Sequence, residues 1–242
     1  MPGPVNRIDP APVDGWWPRL GTLLCPARCL VCGEAASRGG DLCPDCRAAL
    51  PWNECACPSC ALPMPSADVP CGACQRRPPP LGEAHAAFVY AFPLDRLLPR
   101  LKFHRDLAAG RLLAAAMAER FASLPRPDAL LPVRLHRARL RRRGYDQALE
   151  LAKPLARTLA LPLLDGVLVR RRETAAQSDL DATARRRNLR NAFAVAPRAR
   201  LPAHVVLVDD VMTTGATVHA AAQALRRAGV ARVDAWVCAR VP

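Results

Sequence analysis

The chain has 242 residues, of which 51% are hydrophobic, 5% aromatic and 23% charged, with a formal net charge of +14. Its apolar stretches are broken by Pro or Arg well before they reach the length needed to cross a bilayer, which excludes a membrane-spanning protein and predicts a globular one. Residues 1 to 80 carry seven basic and seven acidic side chains, and the remainder carries 28 and 14. This excess permits a polyanionic partner, either a phosphorylated metabolite or nucleic acid.

Residues 1 to 24 form an extension ahead of the first cysteine. Asp9 and Asp14 precede a short apolar stretch, and a basic region followed by a sustained apolar core is absent. Because export signals need both features, none is predicted, and the expected location is the cytoplasm.

The next segment, residues 25 to 75, contains ten of the eleven cysteines. Eight of them form two units in which one CxxC pair is followed after ten residues by another, and the second unit repeats the first at an offset of 28. Two CxxC pairs place four thiolates tetrahedrally around one Zn²⁺, so the spacing predicts two structural zinc ribbons. The predicted ligands are Cys29, Cys32, Cys43 and Cys46 in the first ribbon and Cys57, Cys60, Cys71 and Cys74 in the second.

Other uses of these cysteines remain open at this point. A disulfide framework requires an oxidising compartment, and iron-sulfur clusters use the same thiolates at different spacings. Cys55 could replace Cys57 as a ligand, and Cys238 fits a small buried hydrophobic residue. A closed four-cysteine site predicts support or recognition rather than catalysis. The proline-rich residues 76 to 82 are predicted to form a linker.

Residues 83 to 242 show the alternation of strands and helices that is typical of an α/β domain. Strand patterns cover residues 86 to 92, 130 to 132, 205 to 208 and 230 to 241. Helix patterns cover residues 106 to 122 and 146 to 159, the second disturbed by Pro154, and a third runs from about Val218 to Gly229. The histidines form no HExxH or similar array, so a histidine metal site is not expected.

The segment from Val205 to Val218 carries the clearest chemical signal. A buried parallel strand is predicted to end at Asp209 and Asp210, on the edge where ligands bind in open α/β sheets. A glycine, backbone N–H groups and three threonines follow at a helix start, which is how proteins bind phosphate. A ribose 5-phosphate would use both features, whereas an ordinary Thr-capped helix does not need the paired acids. The predicted substrate-binding residues are Asp209, Asp210, Met212, Thr213, Thr214, Gly215, Ala216 and Thr217.

The stretch VVLVDDVMTTGAT resembles the PRPP-binding motif of type I phosphoribosyltransferases, and residues 25 to 240 resemble the ComF family, which places cysteine zinc ribbons ahead of such a domain. Two other stretches carry the resemblance: Arg143-Gly144-Tyr145-Asp146-Gln147, and Arg171, Thr174, Gln177, Leu180, Arg185, Asn188 and Ala192-Phe193. The family usually has Phe-Asn where this chain has Tyr145-Asp146. An acid facing pyrophosphate would weaken binding, whereas an N-cap role would be harmless.

The resemblance implies a mainly parallel sheet flanked by helices, PRPP bound with Mg²⁺, and a mobile loop at about residues 173 to 183. It also implies four catalytic residues: Asp209 and Asp210, which orient the ribose, and the loop arginines Arg143 and Arg172, which close over the pyrophosphate. Arginines bind phosphate bidentately, so either of two clusters could hold the pyrophosphate. Two alternatives remain open: most of these arginines could line solvated faces, and some could bind a nucleic-acid backbone. The two clusters are Arg134, Arg137, Arg139, Arg141, Arg142 and Arg143, and Arg170 to Arg172 with Arg185 to Arg187 and Arg190.

Two functions follow as expectations from this resemblance. The first is a PRPP-binding or nucleotide-binding protein that acts in natural competence, DNA uptake and DNA utilisation, contacting single-stranded DNA beside a translocating helicase. The second is an active transferase that moves phosphoribosyl from PRPP to an amine or nitrogen base. A fold alone does not establish turnover.

Overall fold

The protein is described here by a computed structural model that covers residues 27–37, 40–66, 69–171 and 192–242. Several sequence predictions fall outside these residues. They are the extension at 1–24, Cys25, Arg172, the loop at 173–183, and the arginines at 185–187 and 190.

Helices and strands alternate along the C-terminal part of the chain, as the sequence predicts. The described elements are α1 (Pro44–Ala48), α2 (Gly72–Arg76), β1 (Ala84–Val89), α3 (Leu94–Phe103), α4 (Leu107–Phe121), β2 (Ala129–Pro132), α5 (Arg137–Arg143), α6 (Gln147–Thr158), β3 (Leu168–Arg170), β4 (Phe193–Val195), β5 (His204–Met212), α7 (Ala216–Arg227) and β6 (Arg232–Arg240). Pro154 lies inside α6 without ending it. None of these helices has the length and apolar character required to span a bilayer.

Four strands form a sheet in the order β1-β6-β5-β2, and every pairing in it is parallel. The central strand β5 is buried on both faces, which is why its sequence is a continuous apolar run rather than an alternating one. A separate antiparallel pair, β3 with β4, lies outside this sheet. The predicted fold class, a parallel sheet flanked by helices, is confirmed.

The side chains of β5 alternate between two hydrophobic clusters. Val206 and Val208 face the cluster that contains α4 and α6, while Val205 and Leu207 face the cluster that contains α7. The sheet is therefore covered on both faces, and its carboxyl edge is left to form a site.

The cysteine-rich segment packs directly on this sheet. Leu50 belongs to the cluster on the α4 face, and Cys57 belongs to the cluster on the α7 face. Between them, Trp52 forms an antiparallel bridge with Phe88 of β1, and their rings lie 4.6 Å apart. The chain between the two ribbons thus covers the edge of β1, which would otherwise present unpaired backbone groups.

Candidate functional site

The eight predicted ligand cysteines form two groups, and within each group the sulfur atoms lie within 4.8 Å of one another. Backbone N–H groups donate to these sulfurs: that of Cys46 to Cys43 at 3.4 Å and that of Cys71 to Cys57 at 3.2 Å. Cys55 is exposed and belongs to neither group, so its suggested substitution for Cys57 is wrong. Both groups have the donor set of a structural zinc site.

The local environment shifts the pKa values of these thiols in both directions. It lowers the pKa of one cysteine in each group and raises those of two others, namely Cys32, Cys46, Cys60 and Cys74. Burial opposes ionisation of Cys29, but hydrogen bonds from backbone N–H groups outweigh it and lower its pKa to about 6. The same balance lowers the pKa of Cys57 to about 7. One thiolate in each group is therefore stabilised before a metal arrives, and the thiolate is the form that binds metal.

A cavity of about 780 Å³ lies at the carboxyl edge of the sheet, where the sequence places the site. Strand β5 supplies two acids to its lining, and six basic residues surround them. The lining comprises Lys102, Phe103, Arg105, Val133, Leu135, Arg139, Arg142, Arg143, Gln147, Arg170, Asp209, Asp210, Val211, Thr213 and Thr217. The cavity is thus strongly cationic and suits an anionic ligand.

The two acids are buried and held by the backbone. Asp209 accepts a hydrogen bond from the N–H of Asp210 at 2.9 Å, and Asp210 accepts one from the N–H of Val211 at 2.8 Å. The second oxygen of Asp210 lies 2.8 Å from the ammonium of Lys102. Burial, followed by the negative charge of Asp210, raises the pKa of Asp209 well above its ordinary value. A ligand that donates hydrogen bonds to this pair would relieve its repulsion.

Beside the acids, the loop after β5 forms a small second pocket lined by residues from Asp209 to Val218. Gly215 adopts φ +72° at the N-cap of α7, a conformation that glycine tolerates and most residues do not. A Cβ at Gly215 would lie 2.5 Å from Met212 Cε and 2.8 Å from His219 Nε2. A side chain at position 215 would therefore have to displace Met212 or His219.

Arginines from two different elements complete the rim. Arg139, Arg142 and Arg143 come from α5, and Arg170 comes from β3. Arg143 donates to Gln147 at 2.9 Å, and its guanidinium lies 5.4 Å from the centre of the Phe103 ring. Burial, followed by the positive charge of Arg139, lowers the pKa of Arg170. The rim is therefore a cluster of like charges that an anion would stabilise.

Not every arginine of the first cluster faces the cavity. Arg134 pairs with Asp146 at 3.2 Å and also with Asp165. Asp146 itself caps α6, accepting from the N–H of Leu149 at 3.3 Å. Of the two interpretations of the acid in Arg143-Gly144-Tyr145-Asp146-Gln147, the N-cap is therefore correct, and Asp146 does not line the cavity.

Sequence reasoning missed Lys102 and Phe103, which end α3 and line the same cavity. The available signal was weak, although Lys102 is one of only two lysines among 35 basic residues. Phe103 is 66% exposed, which is high for an aromatic residue beside a polar cavity.

The acid pair binds backbone N–H groups and Lys102. One oxygen of each acid accepts a backbone N–H, and the other oxygen of Asp210 faces Lys102. Among the described residues, the groups of three or more ligands that could surround one metal ion are the two cysteine sets. Mg²⁺ usually binds one or two carboxylates together with substrate phosphates and water, so at this edge of the sheet it would bind together with a phosphorylated ligand.

This fold and site define a phosphoribosyltransferase-type domain behind a double zinc ribbon, and both parts have recognised counterparts. Residues 146–242 match the phosphoribosyl transferase domain and residues 20–75 match the double zinc ribbon domain. The chain belongs to the ComF family.

Named relatives support this membership over most of the chain. The chain is 40% identical to the DNA utilization protein YhgH of Salmonella typhi over 226 residues, covering 88% of this chain and 89% of the relative. The corresponding protein of Escherichia coli K12 is 38% identical over the same shares. Competence protein F of Haemophilus influenzae is 40% identical over 159 residues, covering 62% of this chain and 69% of the relative.

Proposed function

We propose that this chain binds PRPP, or a nucleotide containing ribose 5-phosphate, and that it acts in DNA uptake and utilisation. The observation that carries the proposal is one cavity that combines a buried acid pair, a glycine-containing loop at a helix start and a rim of arginines. The acid pair would bind the ribose hydroxyls, the loop would bind the 5-phosphate, and the arginines would bind the pyrophosphate.

Each part of the ligand has a matching partner. The ribose hydroxyls would donate to Asp209 and Asp210, which both line the cavity. The N–H groups and threonine hydroxyls of residues 213 to 217 would bind the 5-phosphate at the start of α7. The pyrophosphate would meet Arg139 and Arg143, whose guanidinium groups pair with phosphate oxygens.

A role in DNA utilisation rests on the names of the relatives and on the exposed surface of the rim. Arg137, Arg141 and Arg142 are exposed on α5, and the exposed Phe103 ring, which lines the cavity, lies 5.4 Å from Arg143 of the same helix. Basic groups next to an exposed aromatic ring are the combination that binds single-stranded DNA. A translocating helicase as a partner, Mg²⁺ with PRPP, and a cytoplasmic location are parts of this proposal that the family resemblance supports.

Titration calorimetry with PRPP tests the ligand. The double variant Asp209→Ala, Asp210→Ala should lose affinity by about 100-fold, because hydrogen bonds to charged acceptors are each worth roughly 1.5–3 kcal/mol. Asp95→Ala is the matched control, since Asp95 is an exposed acid that does not line the cavity. Equal affinity in the double variant and the parent would contradict the proposed ribose contacts.

A second candidate is an active transferase, favoured by the size of the cavity. Its volume of about 780 Å³ lies in the upper part of the range for small-molecule sites, so it has room for an acceptor beside PRPP. Arg143 would neutralise the leaving pyrophosphate, with Arg172 of the second cluster in the same role. The test is an assay of pyrophosphate release from PRPP. Release that requires an added amine or nitrogen base would support the transferase. No release with any acceptor of a panel would support the binding protein instead.

A further inference from the structure

The two cysteine groups have the same internal geometry but differ in exposure. The sulfur atoms of Cys32 and Cys43 lie 3.7 Å apart in the first group, and those of Cys60 and Cys71, which hold the same places in the second, also lie 3.7 Å apart. Cys32 is exposed, whereas the other three cysteines of its group and all four of the second group are buried. The exposure of Cys32 therefore distinguishes the two groups for a reagent in solution.

Exposure of a zinc ligand matters because a thiol that coordinates a metal is deprotonated. The thiolate is also the form that peroxides oxidise, and susceptibility to this oxidation follows thiolate character and exposure together. Cys32 has both properties as a ligand, and the sulfur of Cys43 lies near enough to become its disulfide partner. In reducing compartments, disulfides of this kind are transient and serve redox sensing.

One arginine connects the first group to the cavity. Arg100 of α3 donates to the carbonyl oxygen of Leu30, which lies between Cys29 and Cys32 in the zinc-binding turn. The same guanidinium binds Asp106, the N-cap of α4, at 2.6 Å. Arg100 therefore joins the first cysteine group to the connection between α3 and α4.

That connection forms one wall of the cavity. The residues between Arg100 and Asp106 that line the cavity are Lys102, Phe103 and Arg105. Arg105 has φ +55°, a conformation that is strained for residues other than glycine and persists only where surrounding contacts hold it. Because the pair of Arg100 and Asp106 closes this segment, and Leu30 holds Arg100, a change in the first cysteine group would reach the wall of the cavity.

We propose that the first cysteine group is an oxidation site that regulates the cavity. The Cys32 thiolate attacks hydrogen peroxide, the O–O bond breaks, and a sulfenic acid and one water form. The Cys43 thiolate then displaces the sulfenic oxygen as a second water and forms an S–S bond, so that two thiolates lose two electrons to the peroxide and solvent supplies the protons. Loss of two ligands releases the zinc, which frees Leu30 and loosens the connection between α3 and α4. The buried second group keeps its metal.

Treatment of the zinc-loaded full chain with hydrogen peroxide tests the oxidation site. A chromogenic chelator should record release of one zinc equivalent while the other stays bound, and alkylation with mass spectrometry should find a disulfide between Cys32 and Cys43. Without peroxide both equivalents should stay bound, and dithiothreitol with zinc should restore the starting state. Equal loss of zinc from both groups, or a disulfide that forms first in the second group, would overturn the proposal.

Hydrogen exchange measures the loosening without any ligand. The amides of residues 101–106 should exchange about fivefold faster after oxidation, the size expected for one lost hydrogen bond. Arg100→Met should produce at least this increase with the first zinc still bound, and peroxide should then add no further increase. Unchanged exchange in the oxidised parent, or a full response to peroxide in Arg100→Met, would overturn the connection through Arg100.

Arg47→Met is the matched control for Arg100→Met. Arg47 lies next to Cys46 of the first group and pairs with Glu119 of α4 at 2.9 Å, and neither partner of this ion pair lines the cavity. Its removal should leave the exchange of residues 101–106 and its response to peroxide unchanged. An increase equal to that of Arg100→Met would mean that any contact of the first group supports this segment, and would overturn the specific role of Arg100.

Calorimetry with PRPP and Mg²⁺ measures the consequence for binding, which rests on the proposed function. The affinity for PRPP should fall about fivefold on oxidation and return after reduction with zinc. Equal affinities before and after oxidation would overturn regulation of the cavity while the proposed function stood. Absence of PRPP binding in the zinc-loaded chain would overturn the proposed function, and zinc release and hydrogen exchange would still decide the oxidation site.

Discussion

The carbonyl oxygens of Cys60 and Met212 accept hydrogen bonds from the same arginine side chain. Arg240 at the end of β6 donates from Nε to the carbonyl oxygen of Cys60 at 2.9 Å and from Nη1 to that of Met212 at 3.3 Å. Cys60 belongs to the second cysteine group, and Met212, the last residue of β5, lines the small pocket. Because Arg240 is buried, these bonds are shielded from water and connect the second ribbon directly to the phosphate loop.

Loss of the second metal site should therefore weaken ligand binding. Cys57→Ser should reduce zinc from two equivalents to one, lower the melting temperature and weaken PRPP binding, because the Cys60 carbonyl loses its fixed position under Arg240. Metal analysis and calorimetry on the same preparation measure both effects. Cys55→Ser is the control, since Cys55 is exposed and outside both groups. Unchanged PRPP affinity in zinc-depleted Cys57→Ser would show that the ribbon does not support the loop.

Ionised Asp209 should lower the free energy of unfolding of the protein at neutral pH. Its raised pKa means that the folded chain holds this proton more tightly than the unfolded chain, so the free energy of unfolding falls as pH rises from the ordinary aspartate range through that pKa. Asp209→Asn keeps an acceptor oxygen and removes the charge. It should stabilise the protein by about 1 kcal/mol at pH 8, a typical gain for relieving functional strain, with a smaller difference at pH 4.

Asp234→Asn provides the opposite case on the neighbouring strand β6. Asp234 is also buried, but it accepts from His204 at 2.7 Å, from Arg232 Nε at 2.9 Å and from the N–H of Glu83 at 2.9 Å. Its replacement should destabilise the protein by about 1–3 kcal/mol, because Arg232 loses a negatively charged partner and one acceptor oxygen becomes an NH₂ group. Urea unfolding of both variants at the two pH values measures the contrast. Destabilisation of Asp209→Asn at pH 8 would mean that its charge supports the fold.

The sequence was informative where one short segment carries both structure and chemistry. The apolar run of β5, the acids after it and Gly215 are contiguous, so their positions at the sheet edge followed from strand length and helix signals alone. The repeat at an offset of 28 likewise identified both cysteine groups.

The remaining features depend on tertiary contacts. Helix α5 was missed because its basic residues have no apolar face, and none of them is buried. It ends at Gly144, which has φ +84°, and an added Cβ there would lie 2.5 Å from the guanidinium of Arg105. Helix α3 was missed because Pro93 and Pro99 obscure its leucine spacing. Lys102 meets Asp210 only once α3 packs beside the sheet, and no local pattern reports that contact.

The lack of a side chain at Gly215 should matter more than its backbone conformation. Gly215→Ala introduces both a positive φ penalty and a close contact with Met212, whereas Gly229→Ala has φ +96° and nothing within 4 Å of the added Cβ. Both variants should lose roughly 1 kcal/mol of stability from backbone strain. PRPP binding, measured by calorimetry, should weaken by at least about tenfold only in Gly215→Ala, because a shifted Met212 disturbs the N–H groups of the loop. Equal losses of affinity in the two variants would show that strain, not loop shape, is responsible.

Phe103 should contribute to single-stranded DNA binding through base stacking. Phe103→Ala should weaken binding by about 1–3 kcal/mol, the usual range for one stacked base. Phe92→Ala is a close control: Phe92 lies next to the other end of α3, is 50% exposed, and has Arg96 5.3 Å from its ring centre, but it does not line the cavity. Fluorescence anisotropy with a labelled oligonucleotide measures both variants.

The salt dependence separates stacking from charge on the same surface. The slope of log affinity against log salt reports how many DNA phosphates the protein neutralises. Phe103→Ala should therefore leave this slope unchanged. Arg141→Ala with Arg142→Ala should reduce it by about 0.7 for each DNA phosphate that is no longer neutralised. Millimolar PRPP should compete with the DNA, since Phe103 and Arg142 both line the cavity that we assign to PRPP. DNA binding that is tight, insensitive to salt and unaffected by PRPP or by these variants would place the DNA elsewhere on the protein and leave the basic rim to the sugar phosphate alone.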